Sequence, residues 1–305
     1  MLNLPTPPST SRDVRPTIAV SLTSETAFLL QTYLGTVATW MDLMDFDLTY
    51  QLSIPRLTLS SPLLFHSVCA YTAKYLSLSN SRHHSSWDSV ARHHYGQSLN
   101  HLISTLNSPA HEHALTATIL VSSYEVINSL SVEHRRHFLG AMMLIRSHNI
   151  SAQSTGINRA NFWIYVRHEI VVALSSEKPL VLHPDDWNVQ WKQNETREDI
   201  LGNQMLWILA RVINLIYGKQ GTVRSNKLQR EGFLHELEDW KAGLSDPFIG
   251  IPYGEEDEDG FRKIYFTVTA AGEFQTILSR YTLIDFYSCS SFLVSYRTYF
   301  AIYGA

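Results

Sequence analysis

The chain has 305 residues, 45% of them hydrophobic and 17% charged, with 24 basic and 28 acidic side chains, a formal net charge of −4 and two cysteines. That apolar fraction supports a core and excludes global disorder, while the mild acidity excludes a nucleic-acid clamp along the whole chain, which needs a surplus of Lys and Arg. Cys69 and Cys289 cannot make a disulfide framework or a four-thiolate zinc site, so a reducing compartment, nucleus or cytoplasm, is expected.

Residues 1–20 carry Pro5, Pro7 and Pro8 and no apolar period; they read as a flexible arm rich in Pro, Ser and Thr, without the apolar run of a secretion signal. From Ser24 the pattern turns helical, with Phe28, Val37, Trp40, Met41 and Met44 on one face. Ser61 as N-cap and Pro62 at the first helical position open the next helix, where Leu64, Val68, Tyr71, Tyr75 and Leu78 form the stripe. Tyr95, Leu99, Leu102 and Leu106 mark a third helix that stops near Pro109. Leu115, Ile119 and Val126 mark a fourth, Phe138, Met142 and Ile145 a fifth, and Phe162, Trp163, Val166, Ile170 and Leu174 a sixth that closes before Pro179. Thr196 and Asp199 have capping-box spacing ahead of Leu201, Met205, Ile208, Val212 and Ile216, and a helix over 225–243 carries Phe233, Leu237 and Trp240.

Alternating runs long enough for strands are few, so the expected class is all-α, an array of packed antiparallel helices in one large domain over 21–278. The acidic run Glu255–Asp259 sits in an expected solvated loop over 254–260, and residues 261–275 look helical again. No stretch reaches the roughly 18 uninterrupted apolar residues of a membrane span, so a soluble protein without a membrane partner is expected.

Catalytic and metal chemistry finds little support. His83, His84, His93, His94, His101, His111 and His113 cluster, but without metalloprotease spacing; exposed or helix-terminal histidines are the favoured reading, with some response of the patch to pH. Asp185-Asp186-Trp187-Asn188-Val189 starts the aspartate-rich motif of a helical terpenoid synthase and then fails, because Val189 stands where the last carboxylate belongs. There is no Gly-x-Ser-x-Gly elbow, Cys69 lies in an apolar stripe, Gly218-Lys219-Gln220-Gly221 is too short for a phosphate loop, and Arg135-Arg136 is too small for a DNA-binding patch. No catalytic, cofactor or metal residue is therefore assigned.

More specific text lies in the middle. Trp40-Met41-Asp42-Leu43-Met44-Asp45 leads to Ser61-Pro62-Leu63-Leu64, then Ala114-Leu115, Ser122-Ser123-Tyr124-Glu125, His137-Phe138-Leu139-Gly140-Ala141 and Leu144-Ile145-Arg146. Arg159-Ala160-Asn161-Phe162-Trp163-Ile164-Tyr165-Val166-Arg167-His168-Glu169-Ile170 follows, with Pro184 and Asp186-Trp187 downstream. In order and spacing this resembles the fungal-specific transcription factor domain, the all-helical regulatory half of binuclear zinc-cluster transcription activators, over residues 25–275.

The resemblance implies a non-enzymatic regulator of transcription in the nucleus, acting through protein partners or a small-molecule signal, with a homodimer or a heterodimer with related factors among its assemblies. The competing class is a helical enzyme of terpenoid-synthase type. Glu125, His137, Gly140, Arg146, Phe162, Trp163, Arg167, Glu169 and Trp187 are the structural or regulatory candidates. Glu125, Arg146, Arg167 and Glu169 are expected to pair between helices, since an unpaired buried charge costs several kcal/mol, and Gly140 with Ala141 is expected to admit a close helix. Zinc is implied only for an N-terminal six-cysteine cluster; the arm before residue 25 has no cysteine, so no cofactor and no direct DNA binding are expected of this chain. The aromatic segment 279–305 departs from the family pattern and is expected to be a divergent or misassigned end. Transcript reads across the codons after Gln275 check this, and continuous coding reads with a stable full-length protein overturn it.

Overall fold

The computed structural model describes residues 20–79, 84–108, 113–128, 134–192, 195–218, 223–244, 246–248, 250–256 and 262–267. Among them the fold is all-α, with eleven α-helices and one two-stranded hairpin. Four short or medium helices come first: α1 (Ser24–Gly35), α2 (Val37–Met41), α3 (Thr49–Leu52) and α4 (Ile54–Thr58). The longer ones follow as α5 (Pro62–Ser79), α6 (His84–Leu106), α7 (Ala114–Asn128), α8 (His134–Ser147), α9 (Gly156–Ser176), α10 (Glu198–Tyr217) and α11 (Val223–Ala242).

Helices α5 and α7 form the centre. Almost every residue of α5 from Leu63 to Lys74 is buried, as is every residue of α7 from Ala114 to Tyr124. Ser61 opens α5 as its sequence requires, its Oγ receiving the Leu64 N–H at 3.4 Å. One contiguous apolar core runs from Leu29 on α1 to Phe248.

The α5–α6 pair is antiparallel, because its contacts run in opposite directions along the two helices. Lys74 meets Asp88 at 2.8 Å, Ser67 Oγ meets Ser98 Oγ at 2.7 Å, and His66 stacks on His101 with ring centroids 5.5 Å apart. This seam is polar. The buried edge of α6 is Ala91, His94, Ser98 and Leu102; of the stripe Tyr95, Leu99, Leu102 and Leu106 that the apolar pattern predicts, Leu102 is buried, Tyr95 and Leu99 are half-buried and Leu106 is exposed. Reciprocal hydrogen bonds satisfy the polar side chains, which lets them occupy positions that hydropathy assigns to solvent. His66 and His94 share a bond between their Nδ1 atoms at 2.8 Å. Burial, and then the neighbouring imidazoles, push both rings down to about 4.

Three further expectations are corrected. The face through Phe28 and Met44 is split between α1, α2 and the turn that follows, because the chain breaks at Thr36 (φ −132°, ψ −85°) and α2 ends at Met41, and Phe28 turns outward to stack on Trp87 with centroids 5.7 Å apart. The box spanning Thr196 and Asp199 does not form: α10 starts at Glu198, and the buried Asp199 carboxylate is taken by the Arg197 guanidinium at 2.7 Å. The expected helix over 261–275 gives way, within its described part, to β2 (Lys263–Tyr265), antiparallel to β1 (Ile251–Tyr253) in the register Ile251↔Tyr265. Gly250 makes the hairpin possible. It sits at φ +70°, and a Cβ there would come within 2.4 Å of the Ile264 side chain. The tail after 267 lies outside the described residues, as do Cys289, His83, His111 and the tip of the acidic run at 257–260.

Among the described residues α10 is the one helix long and apolar enough to cross a membrane by length and composition. Half of that stretch is packed inside the protein, with Leu201, Met205, Ile208 and Ile213 buried.

Because the folded imidazoles of His66 and His94 titrate near 4 and unfolded ones near 6.5, the unfolded state binds more protons between those values. Their contribution is full above pH 6.5 and is lost as pH falls toward 4. Urea unfolding of the wild type against the double variant His66→Asn, His94→Asn should show the wild type losing on the order of 2 kcal/mol more between pH 7 and 4; parallel profiles would refute the assignment.

Candidate functional site

Helix α9 touches two irregular segments and ties down both. The first is the turn between α2 and α3, which holds the sequence Trp40-Met41-Asp42-Leu43-Met44-Asp45. A short turn leaves amides and carbonyls unpaired, and buried ones must find partners. Asp42 accepts the Tyr50 and Gln51 N–H groups, each at 2.8 Å, and Asp45 accepts those of Asp47 (3.3 Å) and Thr49 (3.2 Å). Burial pushes the Asp42 carboxyl up to about 6, and the two amides hold it from rising further.

The carbonyls are met from the other side. Arg167 on α9 donates Nη2 to Met41 O at 2.6 Å and Nη1 to Trp40 O at 3.4 Å, which closes the last turn of α2. Asn203 on α10 donates to Met44 O at 3.3 Å. Asn161, buried on α9, accepts the Tyr50 hydroxyl at 2.7 Å and donates to Thr116 on α7 at 2.9 Å, so one side chain joins three helices. Arg159 lies 3.6 Å from Asp199 and 3.9 Å from Asp47.

The second segment is the strap of residues 178–187, ending in the 3₁₀ turn Pro184–Trp187. Trp187, fully buried, packs edge-on against Phe162 and Trp163 at 5.9 and 6.1 Å. Its indole N–H bonds Leu182 O at 3.1 Å, and its own carbonyl takes the Ala152 N–H at 3.0 Å. Glu169 Oε1 accepts the N–H groups of Val181 and Leu182, the latter at 2.9 Å, and Asn214 on α10 accepts that of Leu180 at 2.7 Å. Arg146 on α8, half-exposed, donates to Val181 O at 3.3 Å and lies 4.0 Å from Asp186. Burial pushes the Glu169 carboxyl up to about 7 against the pull of the Leu182 and Val181 amides.

Farther out, Glu125 on α7 takes the Tyr95 hydroxyl at 2.5 Å, and His137 Nδ1 on α8 lies 2.7 Å from the same Oε1. Of the nine candidates, the structure therefore brings Arg146, Phe162, Trp163, Arg167, Glu169 and Trp187 together around α9 and holds Glu125 with His137 apart from them. The expected pairing of charges between helices takes another form: Glu125 meets His137, whereas Glu169 and Arg167 serve backbone groups. Gly140 does not admit a close helix, since a Cβ there would meet nothing within 4 Å, and the neighbouring contact falls to the buried Ala141. Asn161, Asn203 and Asn214 escape a reading of the sequence because an amide inside an amphipathic helix has no spacing of its own.

The cleft lined by Met41, Met44, Asp45, Arg159, Trp163 and Arg167 has a volume of about 10 Å³, room for a single water. Among the described residues no group of three or more His, Cys, Asp or Glu side chains could hold a metal. Asp185 and Asp186, the start of the failed aspartate motif, are exposed on the 3₁₀ turn, where His183 lies 3.4 Å from Asp185. Burial pushes the Cys69 thiol up to about 12, which keeps it un-ionised and inert.

The profile described as the fungal specific transcription factor domain matches residues 28–247, from α1 to the 3₁₀ turn Asp246–Phe248, and the hairpin lies beyond it. No curated protein and no solved structure matches the chain. Two substitutions test the packing around α9 and α8. Trp187→Ala should cost about 3–5 kcal/mol in urea unfolding, whereas Gly140→Ala should gain roughly 0.5–1 kcal/mol, because it adds helix propensity in open space.

Proposed function

The chain belongs to the fungal specific transcription factor domain family, a family of transcription regulation, and from that premise we propose that it is a non-enzymatic regulatory domain that works in the nucleus through protein partners. The observation that carries this reading is the use of polar side chains around α9. Asp42, Asp45, Asn161, Arg167, Glu169 and Asn214 are each engaged in holding backbone or a neighbouring side chain. A reacting centre needs such groups convergent on a space where substrate can sit. The cleft beside them has room for one water, which also favours a protein surface over a small-molecule pocket at this place.

These 305 residues hold two cysteines, so a six-cysteine zinc cluster is not among them, and the proposed role of this region is regulation and not DNA reading. The terpenoid-synthase alternative lacks support from Asp185 and Asp186, whose carboxylates point to solvent and not into a cavity.

Tethering tests the proposal. Residues 20–267 fused to an unrelated DNA-binding domain should change transcription from a reporter carrying its site in a fungal nucleus, and Trp187→Ala should abolish the change along with the fold. A fusion that is stable, nuclear and without effect on the reporter would refute the regulatory reading. The purified chain should show no magnesium-dependent turnover of prenyl diphosphates.

A further inference from the structure

Glu169 holds the strap of residues 178–187 in an unusual way for a carboxyl group inside a helical core. Its exposure is 2%, one oxygen receives both strap amides, and the other oxygen, Oε2, is buried without a hydrogen-bond partner. A neutral carboxyl group fits that environment, because its carbonyl oxygen keeps both amides while the proton sits on the other oxygen. An ionised one is a buried anion whose desolvation outweighs the two amides and the neighbouring Tyr165 hydroxyl.

The groups that face it are few. Tyr165, one turn earlier on α9, is beside it; burial and the Glu169 charge raise its hydroxyl, and that hydroxyl in turn favours the Glu169 anion, though less than burial opposes it. From α8 comes the Arg146 guanidinium, 53% exposed and turned partly toward Asp186 on the strap's outer edge. The strap presents its amides, and its titratable pair His183 and Asp185 is exposed. From α10 comes the neutral amide of Asn214, occupied with Leu180.

We propose that Glu169 is a proton-operated latch for the strap, closed while the carboxyl carries its proton and loosened when it ionises. Opening would free Leu180, Leu182 and Trp187, all buried, and uncover the Phe162 and Trp163 rings beneath. It would expose an apolar groove on the face of α9 that the strap covers at rest. The sign follows from burial. The folded carboxyl titrates near 7 and an unfolded one near 4.5, so closure is most stable below pH 4.5 and its advantage is gone as pH rises through about 7. That window includes neutral pH, so a modest change in proton concentration moves the population.

Hydrogen exchange of the Val181 and Leu182 amides between pH 4 and 8, corrected for intrinsic exchange, tests the latch in the whole chain. One proton links opening to pH, so the opening equilibrium of the wild type should rise by up to about tenfold per unit between about pH 4.5 and 7 and level off above. In Glu169→Gln, whose amide oxygen can still accept both bonds, opening should be independent of pH. Arg146→Met removes the positive charge that favours the anion in the closed state, so the rise should level off at higher pH. A flat wild-type profile overturns the proposal whether or not the Gln variant folds, and so does a Gln variant with the wild-type slope.

Discussion

Every backbone amide and carbonyl buried outside a regular helix must be paired by something, and in this chain α9 and its neighbours supply the partners for two such stretches. The α2–α3 turn has its amides held by its own aspartates and its carbonyls held by Arg167 and Asn203. The strap of residues 178–187 has its amides held by Glu169 and Asn214 and its last residue sunk between aromatic rings. Neither stretch could be buried without those side chains, and without them α9 would lose its cover on two sides. Helices α2, α3, α7, α8 and α10 take their places from the same few bonds.

This arrangement explains why Glu169 and Arg167 sit in an apolar helix without pairing as carboxylate and guanidinium. Desolvating two ions for one contact gains little, whereas one ion that satisfies several fixed backbone dipoles is stabilised at each of them. Glu169 accepts two amides and Arg167 reaches two carbonyls. The geometry is also specific: a helix shifted by one residue would miss both sets. The cost is an ionisable group whose preferred form depends on pH, and Glu169 and Asp42 both carry it.

The α5–α6 seam buries polar side chains too, with neutral groups beside the Lys74–Asp88 ion pair. Paired serines and imidazoles fill a helix–helix interface that apolar residues usually occupy, and they bond each other across it. Falling pH works against this seam and rising pH against the protonated Glu169 carboxyl, so the two act in opposite directions over nearly the same window, from about pH 4 to about pH 7.

The sequence alone determined the all-α class, the positions of the long helices and the family, because apolar residues recur at helical spacing from α5 to α11 and caps such as Ser61-Pro62 are local. It also marked Arg159–Ile170 and Trp187 as belonging together in order. It missed the buried His94 and Ser98 on α6, read residues 263–265 as helix, and gave Gly140 a contact that it does not make. Only the tertiary structure decided those points, and with them the roles of Asn161, Glu169 and Arg167. Periodicity reports which residues avoid water, but a polar side chain becomes a core residue only when partners far along the chain arrive at 2.6–3.4 Å, and no local spacing encodes that meeting.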